Sequence, residues 1–167
     1  MEMSLDSFEG IVRRTGLFNG DSEAVTSGAH PFDLRNIHQA LWGKVKDLFD
    51  NGHCAEATFE AFKVIDKLVQ RLSQLDESGF KLMMNAFNDA NPKLQIADVS
   101  TLSGRDEQKG YSFLFSGAVM AIRNPRGHEA DFSDDPDTCL DHLAFASLLV
   151  RRLEQSGFKV QIGTGRP

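Results

Sequence analysis

In several segments between Asp33 and Leu153 apolar residues return every three or four positions, and no stretch of the chain convincingly alternates apolar with polar residues. Three-four spacing gathers apolar groups on one stripe of a helix, whereas alternation is what a half-buried strand needs. The expected fold class is therefore all-α, a bundle of four or five helices. Leu34, Ile37, His38, Leu41, Val45, Leu48 and Phe49 make the first stripe, with Asp33 able to cap it and Asn51-Gly52 able to close it. A second helix is expected over about residues 53–75, with Phe59, Phe62, Ile65, Val69, Leu72 and Leu75 on one face. A shorter one over about residues 78–87 stops at NDANP. Residues 93–109 are polar and interrupted and read as a loop. A fourth main helix follows over about residues 110–122, and a last one over about residues 138–155, with Asp135 or Asp137 as its cap and Gly157 at its end.

The 167 residues suffice for one domain with one core. Residues 1–30 are weakly patterned and read as an arm with one short helix around SLDSFEGIVRR. Residues 31–157 read as the helical domain, and 158–167 as a flexible tail. A formal net charge of -6 argues against a broad nucleic-acid-binding surface but leaves room for a local basic cleft. No run approaches the roughly 18 apolar residues of a membrane-spanning helix, so no membrane partner is expected. MEMSLDSFEG lacks the basic and apolar regions of a signal peptide. Cys54 and Cys139 form neither a CxxC pair nor a disulfide framework. A cytoplasmic location is the expectation.

The stretch RNPRGHE, residues 123–129, stands apart. It follows the Phe- and Ala-rich run FLFSGAVMAI and brings two arginines, an asparagine, a proline and a histidine together. As plain structure it ends a helix: Arg123 meets the last carbonyls and Pro125 stops the turn. An Arg followed five positions later by a His arises by chance roughly 0.3 times in a chain of this composition, and about 0.01 times with Asn directly after the Arg. The chemistry also fits a function. Arginine offers a permanent charge and a fork of donors matched to phosphate oxygens. Histidine exchanges protons near neutral pH. Together they suit RNA backbone cleavage without a metal, in which the ribose 2′-hydroxyl attacks and Arg stabilises charge on the phosphorus oxygens.

GYSFLFSGAVMAIRNPRGHE resembles the signature of the HEPN superfamily, the higher eukaryote and prokaryote nucleotide-binding helical domains, and more narrowly its uncharacterised bacterial Ymh-type branch. That branch carries an LFxGAxxAxRNPRxH segment. Helices resembling CAEATFEAFKVIDKLVQRLSQL and GFKLMMNAF precede it, and one resembling CLDHLAFASLLVRRLE follows. The likeness covers roughly residues 50–155 and is most specific over 110–128. It implies a helical fold and a motif of Arg, a polar residue and His, which Arg123, Asn124 and His128 match. It further implies a metal-independent endoribonuclease acting on RNA as a homodimer with the two motifs in one cleft, used in toxin–antitoxin or antiphage defence with a partner protein. His128 would move protons, Arg123 would hold the scissile phosphate, Asn124 would orient the His or hydrogen-bond the phosphate, and Arg126 would add charge. A subgroup paired with nucleotidyltransferase antitoxins has Tyr two positions after the His. Ala130 stands there in this chain, whose one tyrosine is Tyr111, so control by tyrosine modification at the motif is not expected.

Arg151 and Arg152 on the last helix are second-line candidates for RNA contacts, although with Asp66-Lys67 they also fit a solvated face. Cys139 and His142 lie at i, i+3 but lack the further ligands that zinc requires, so no metal and no cofactor are expected. His38, on an apolar face, reads as a satisfied core histidine, and Ser116-Gly117 as small residues at a close helix contact or a dimer contact. The rival function is a non-catalytic RNA- or nucleotide-binding scaffold subunit of a defence complex, because fold alone does not decide activity.

Overall fold

The longest apolar stripe of the sequence becomes the central helix of the fold. The computed structural model describes residues 28–128 and 132–160. These contain helices α1 (Pro31–Leu34), α2 (Lys44–Asp50), α3 (Cys54–Ser73), α4 (Gly79–Ala86), α5 (Leu102–Gly117), α6 (Asn124–His128) and α7 (Pro136–Gln155). A 3-10 turn spans Gln39–Leu41, and a π-helical stretch spans Ala118–Arg123. No strand occurs among the described residues. Residues 1–36 and 37–167 form two compact units. The short helix expected near residues 4–14 and the tail beyond residue 160 lie outside the described residues.

Helix α3 packs against α2, α4, α7, α6 and the π-helical stretch. Ala57, Ala61, Phe62, Ile65 and Val69 of α3 and Leu143, Leu149, Val150 and Leu153 of α7 are sealed from solvent. At about 1.5–3 kcal/mol for each large apolar side chain, that burial dominates what holds the bundle together. On α5, Phe115 stacks on Phe87 with ring centroids 4.2 Å apart. The caps follow the chemistry of the flanking residues. Asp135 accepts hydrogen bonds from the backbone N–H of Asp137 and Thr138, and Pro136 occupies the first turn, where its missing N–H does no harm. Gly157 ends α7 in the left-handed conformation.

The sequence-based boundaries need three corrections. The single helix expected from Asp33 to Phe49 is three pieces: α1, the 3-10 turn and α2. Asn36 and Gly43 have φ of 49° and 71°, which a right-handed helix cannot contain. The first two pieces are capped by histidines rather than Asp33. The Nδ1 atoms of His30 and His38 accept from the N–H of Phe32 and Ala40, each at 3.0 Å. His38 also meets Glu154 at 2.9 Å and is the satisfied histidine its position suggested.

Second, α5 starts eight residues before the expected position 110. Thr101 accepts from the Gly104 N–H at 3.0 Å and caps it. Gly104 is needed for space, since a Cβ there would fall 1.8 Å from the Asp98 carbonyl oxygen. The buried side chain of Gln108 accepts from the Ile96 N–H at 2.8 Å and donates to the Phe87 and Leu94 carbonyls at 3.1 Å. One polar side chain thereby satisfies three backbone groups of the preceding loop, which is why this part of the helix does not look amphipathic in sequence. Third, Asp66 is buried rather than solvated. It accepts from the Gly79 N–H at 2.6 Å and holds the start of α4 to α3.

Candidate functional site

Pro125 sets the geometry of the motif. Proline donates no backbone hydrogen bond, and its ring crowds the carbonyl four residues back, here that of Ala121. The expected consequence was a helix end or kink at Asn124. Instead the helix widens: over Ala118–Arg123 the backbone adopts π-type spacing, with the Asn124 N–H donating to the Val119 carbonyl five residues back. The added residue per turn relieves the crowding and lets the chain continue as α6. RNPRGH is thus helical rather than a turn. Asn124 and His128, four residues apart on α6, share a face, and Arg123 immediately precedes them.

Arg123 is half-buried. Its guanidinium lies over the Phe59 ring of α3, 5.3 Å from the centroid, and its Nη1 donates to Asn124 Oδ1 at 3.2 Å. Its Nε is buried without a hydrogen-bond partner, and no carboxylate pairs with it among the described residues. Gly127 also meets Phe59: a Cβ there would lie 2.7 Å from Cε2 of the ring. One aromatic ring therefore seats both the arginine and the glycine of the motif. His128 is exposed at the end of α6.

Arg126 has a different environment. Its Nε and Nη2 donate to the two carboxylate oxygens of Asp134 at 2.6 and 2.5 Å, and the two side chains are only 5% and 4% exposed. Nη1 donates to the Ile122 carbonyl at 2.6 Å, Nη2 lies 3.3 Å from His142 Nδ1, and the guanidinium sits over Phe132 at 4.6 Å. Burial lowers the pKa of His142, and the adjacent Arg126 charge lowers it further. The neutral imidazole is the form that accepts from an arginine.

Residues 35–153 match the model of the Hypoth_Ymh family, described as a protein of unknown function. The chain belongs to the Hypoth_Ymh family. The match takes in the whole motif, Phe59, Asp134 and α7 as far as Leu153. No curated protein and no solved structure matches the chain.

In this Hypoth_Ymh protein the structure brings Arg123, Asn124 and His128 onto one short stretch of helix. Arg152, expected with Arg126 and Arg151 to contact RNA, lies elsewhere on α7. It pairs with Glu107 at 2.8 Å, donates to the Ile96 carbonyl and sits over Tyr111. Arg151, half-buried next to it, is engaged as well. Cys139 and His142 have different partners, Thr58 for the one and Arg126 for the other. Cys139 is buried against Thr58, whose hydroxyl donates to its sulfur at 3.5 Å, and burial pushes its thiol up to about 12. No cluster of His, Cys, Asp and Glu suited to a metal ion occurs among the described residues, and no described helix is long and apolar enough to cross a membrane.

Three members of the site were not found from sequence: Phe59, Gly127 and Asp134. Phe59 reads as one of several apolar residues on a helix face, and Gly127 and Asp134 carry no role in the sequence reading. Their roles depend on which helix neighbours which, and no spacing rule carries that information.

Proposed function

We propose that this protein is a metal-independent endoribonuclease acting on single-stranded RNA, with the reaction carried out by Arg123, Asn124 and His128. The observation that carries this reading is Arg123. It is a cation held by an aromatic ring and by Asn124, with no neutralising carboxylate among the described residues, on the same helical stretch as the exposed His128. A fixed guanidinium with unused donors is suited to a phosphate, and a neighbouring exposed imidazole to moving a proton. In the proposed step His128 takes the proton of the ribose 2′-hydroxyl and the 2′ oxygen bonds to phosphorus. The bond from phosphorus to the 5′ oxygen breaks, and the leaving oxygen takes a proton from solvent, to which His128 returns its own. The products are a 2′,3′-cyclic phosphate and a 5′-hydroxyl.

The likeness of the RNPRGH segment to the HEPN superfamily supports the same reading. It also supports a homodimer, in which two motifs would make a positive cleft in an acidic chain, and a toxin or antiphage role in the bacterial cytoplasm with an antitoxin or defence-complex partner. The deciding experiment is cleavage of labelled single-stranded RNA in EDTA by wild type, Arg123→Ala and His128→Ala, each checked for folding by circular dichroism. Cleavage by wild type alone supports the nuclease. A strict requirement for magnesium would overturn the mechanism. RNA binding without cleavage, weakened by Arg123→Ala, would favour the scaffold reading.

A further inference from the structure

We propose that Arg126 is a positioning residue: through its buried fork with Asp134 it fixes the helical turn that presents His128, and it does not bind RNA itself. The proposal rests on the reading of Arg123 and His128 as the reacting pair. Each donor-bearing nitrogen of the Arg126 guanidinium is engaged, Nε and Nη2 with Asp134, Nη1 with the Ile122 carbonyl, and Nη2 also beside His142. At 5% exposure, with Phe132 against its face, it offers little to a phosphate. What it does instead is mechanical. Arg126 and Asp134 are eight residues apart, and the chain between them contains His128. The ion pair joins α6 to Asp134 just ahead of α7, the Ile122 carbonyl ties Arg126 to the π-helical stretch, and His142 ties it to α7. A bidentate fork fixes direction as well as distance, which a lysine at the same place would not do. Exposed at the tip of a five-residue helix, His128 needs such a brace, since short helices hold their shape through tertiary contacts.

Asp134 supplies a test with opposite signs. A carboxylate does not bind a phosphodiester, so if Arg126 were an RNA ligand held back by Asp134, Asp134→Asn would free it and tighten RNA binding. If Arg126 positions His128, the same change leaves RNA affinity alone and slows the reaction. Single-turnover cleavage in EDTA gives the rate, and binding of an uncleavable RNA with a 2′-deoxy scissile nucleotide gives Kd. We expect Asp134→Asn and Arg126→Lys each to lower the rate at least thirtyfold, with Kd within twofold of wild type. Tighter binding by Asp134→Asn with an unchanged rate would overturn the proposal, as would weaker binding by Arg126→Lys with an unchanged rate. Asp134→Glu keeps the charge and moves the carboxylate by one methylene. It replaces Asp134→Asn if the latter fails to fold and carries the same expectation. Wild type that does not cleave would defeat the nuclease reading but not this proposal, which the His128 ring resonance in NMR then decides. One sharp signal in wild type that broadens or splits in folded Arg126→Lys supports it, and an unchanged signal overturns it.

Discussion

Arg123 and Arg126 are three positions apart in the same motif and each lies over an aromatic ring, but only Arg126 is paired with a carboxylate among the described residues. Removing Arg126 strands the Asp134 carboxylate, 4% exposed, without its counter-charge, a change that typically costs about 3–5 kcal/mol. Removing Arg123 loses a cation–π contact worth about 0.5–2 kcal/mol and relieves a buried Nε that lacks a partner. Urea denaturation should therefore show Arg126→Ala destabilised by several kcal/mol and Arg123→Ala by no more than about 1 kcal/mol; equal losses would contradict the contrast. Gly127 gives a second comparison. Alanine there gains about 1 kcal/mol of helix propensity but meets the Phe59 ring at 2.7 Å, an overpacking that costs about 1–3 kcal/mol. Gly127→Ala should destabilise wild type yet be neutral or stabilising in a Phe59→Leu background, a coupling that a double-mutant cycle reads directly. His142 adds a pH dependence. Its folded pKa lies below the ordinary 6.5, so below pH 6.5 the unfolded chain takes up the proton first and stability falls as pH drops. The loss of stability between pH 7 and pH 5 should be smaller in His142→Gln, measured by urea denaturation across that range.

Among the elements, the π-helical stretch has the most specific consequence. Pro125 would break an ordinary helix at about 3 kcal/mol, and the widened turn before it accommodates the ring. Pro125→Ala restores the N–H and removes the crowding, so the stretch can tighten to ordinary α spacing. We expect the variant to be more heat-stable by about 1 kcal/mol or more, yet at least tenfold slower in RNA cleavage, because tightening rotates Arg123 relative to α3. Equal activity would mean that the wide turn has no part in the site. This element also marks a limit of sequence reading. A residue before proline is biased away from helix, which leads to an expected end or kink at Asn124. The bias was overruled because α3 and α4 pack against the stretch and because a wide turn was available to absorb the proline. The start of α5 was missed for the opposite reason, since its first half contributes a polar staple, Gln108, where periodicity looks for apolar residues.

For the whole molecule, the net charge of -6 and the engaged arginines of α6 and α7 leave Arg123 as the cation on which the proposed reaction depends. One apolar face bears on how two such residues could share a cleft. Gly110, Phe113, Leu114, Gly117, Met120 and Ala121 are all exposed along α5 and the π-helical stretch, with Phe113 and Met120 at 56% and 53%. An exposed apolar stripe that ends two residues before Arg123 is compatible with the proposed homodimer and its paired motifs. For the proposed homodimer formed through this face, the double substitution Phe113→Glu/Met120→Glu should leave the circular dichroism spectrum intact and halve the mass by light scattering. A monomeric wild type would remove the dimer from the proposal.

Read alone, the sequence determined the fold class, the central and last helices, a cap at Asp135 or Asp137, the stop at Gly157 and the place of the motif, because periodicity, capping chemistry and a rare residue combination are all local. It also placed Arg123, Asn124 and His128 together, since they are near neighbours in the chain. What only the tertiary structure decided is which cations are engaged. Arg126 and Arg123 look alike in sequence, but one meets a buried carboxylate from beyond the motif and the other an aromatic ring from α3. The energy of a charge depends on its solvent exposure and on its nearest opposite charge, and for these residues both are set by how residues outside the motif, Asp134 and Phe59 among them, pack against it.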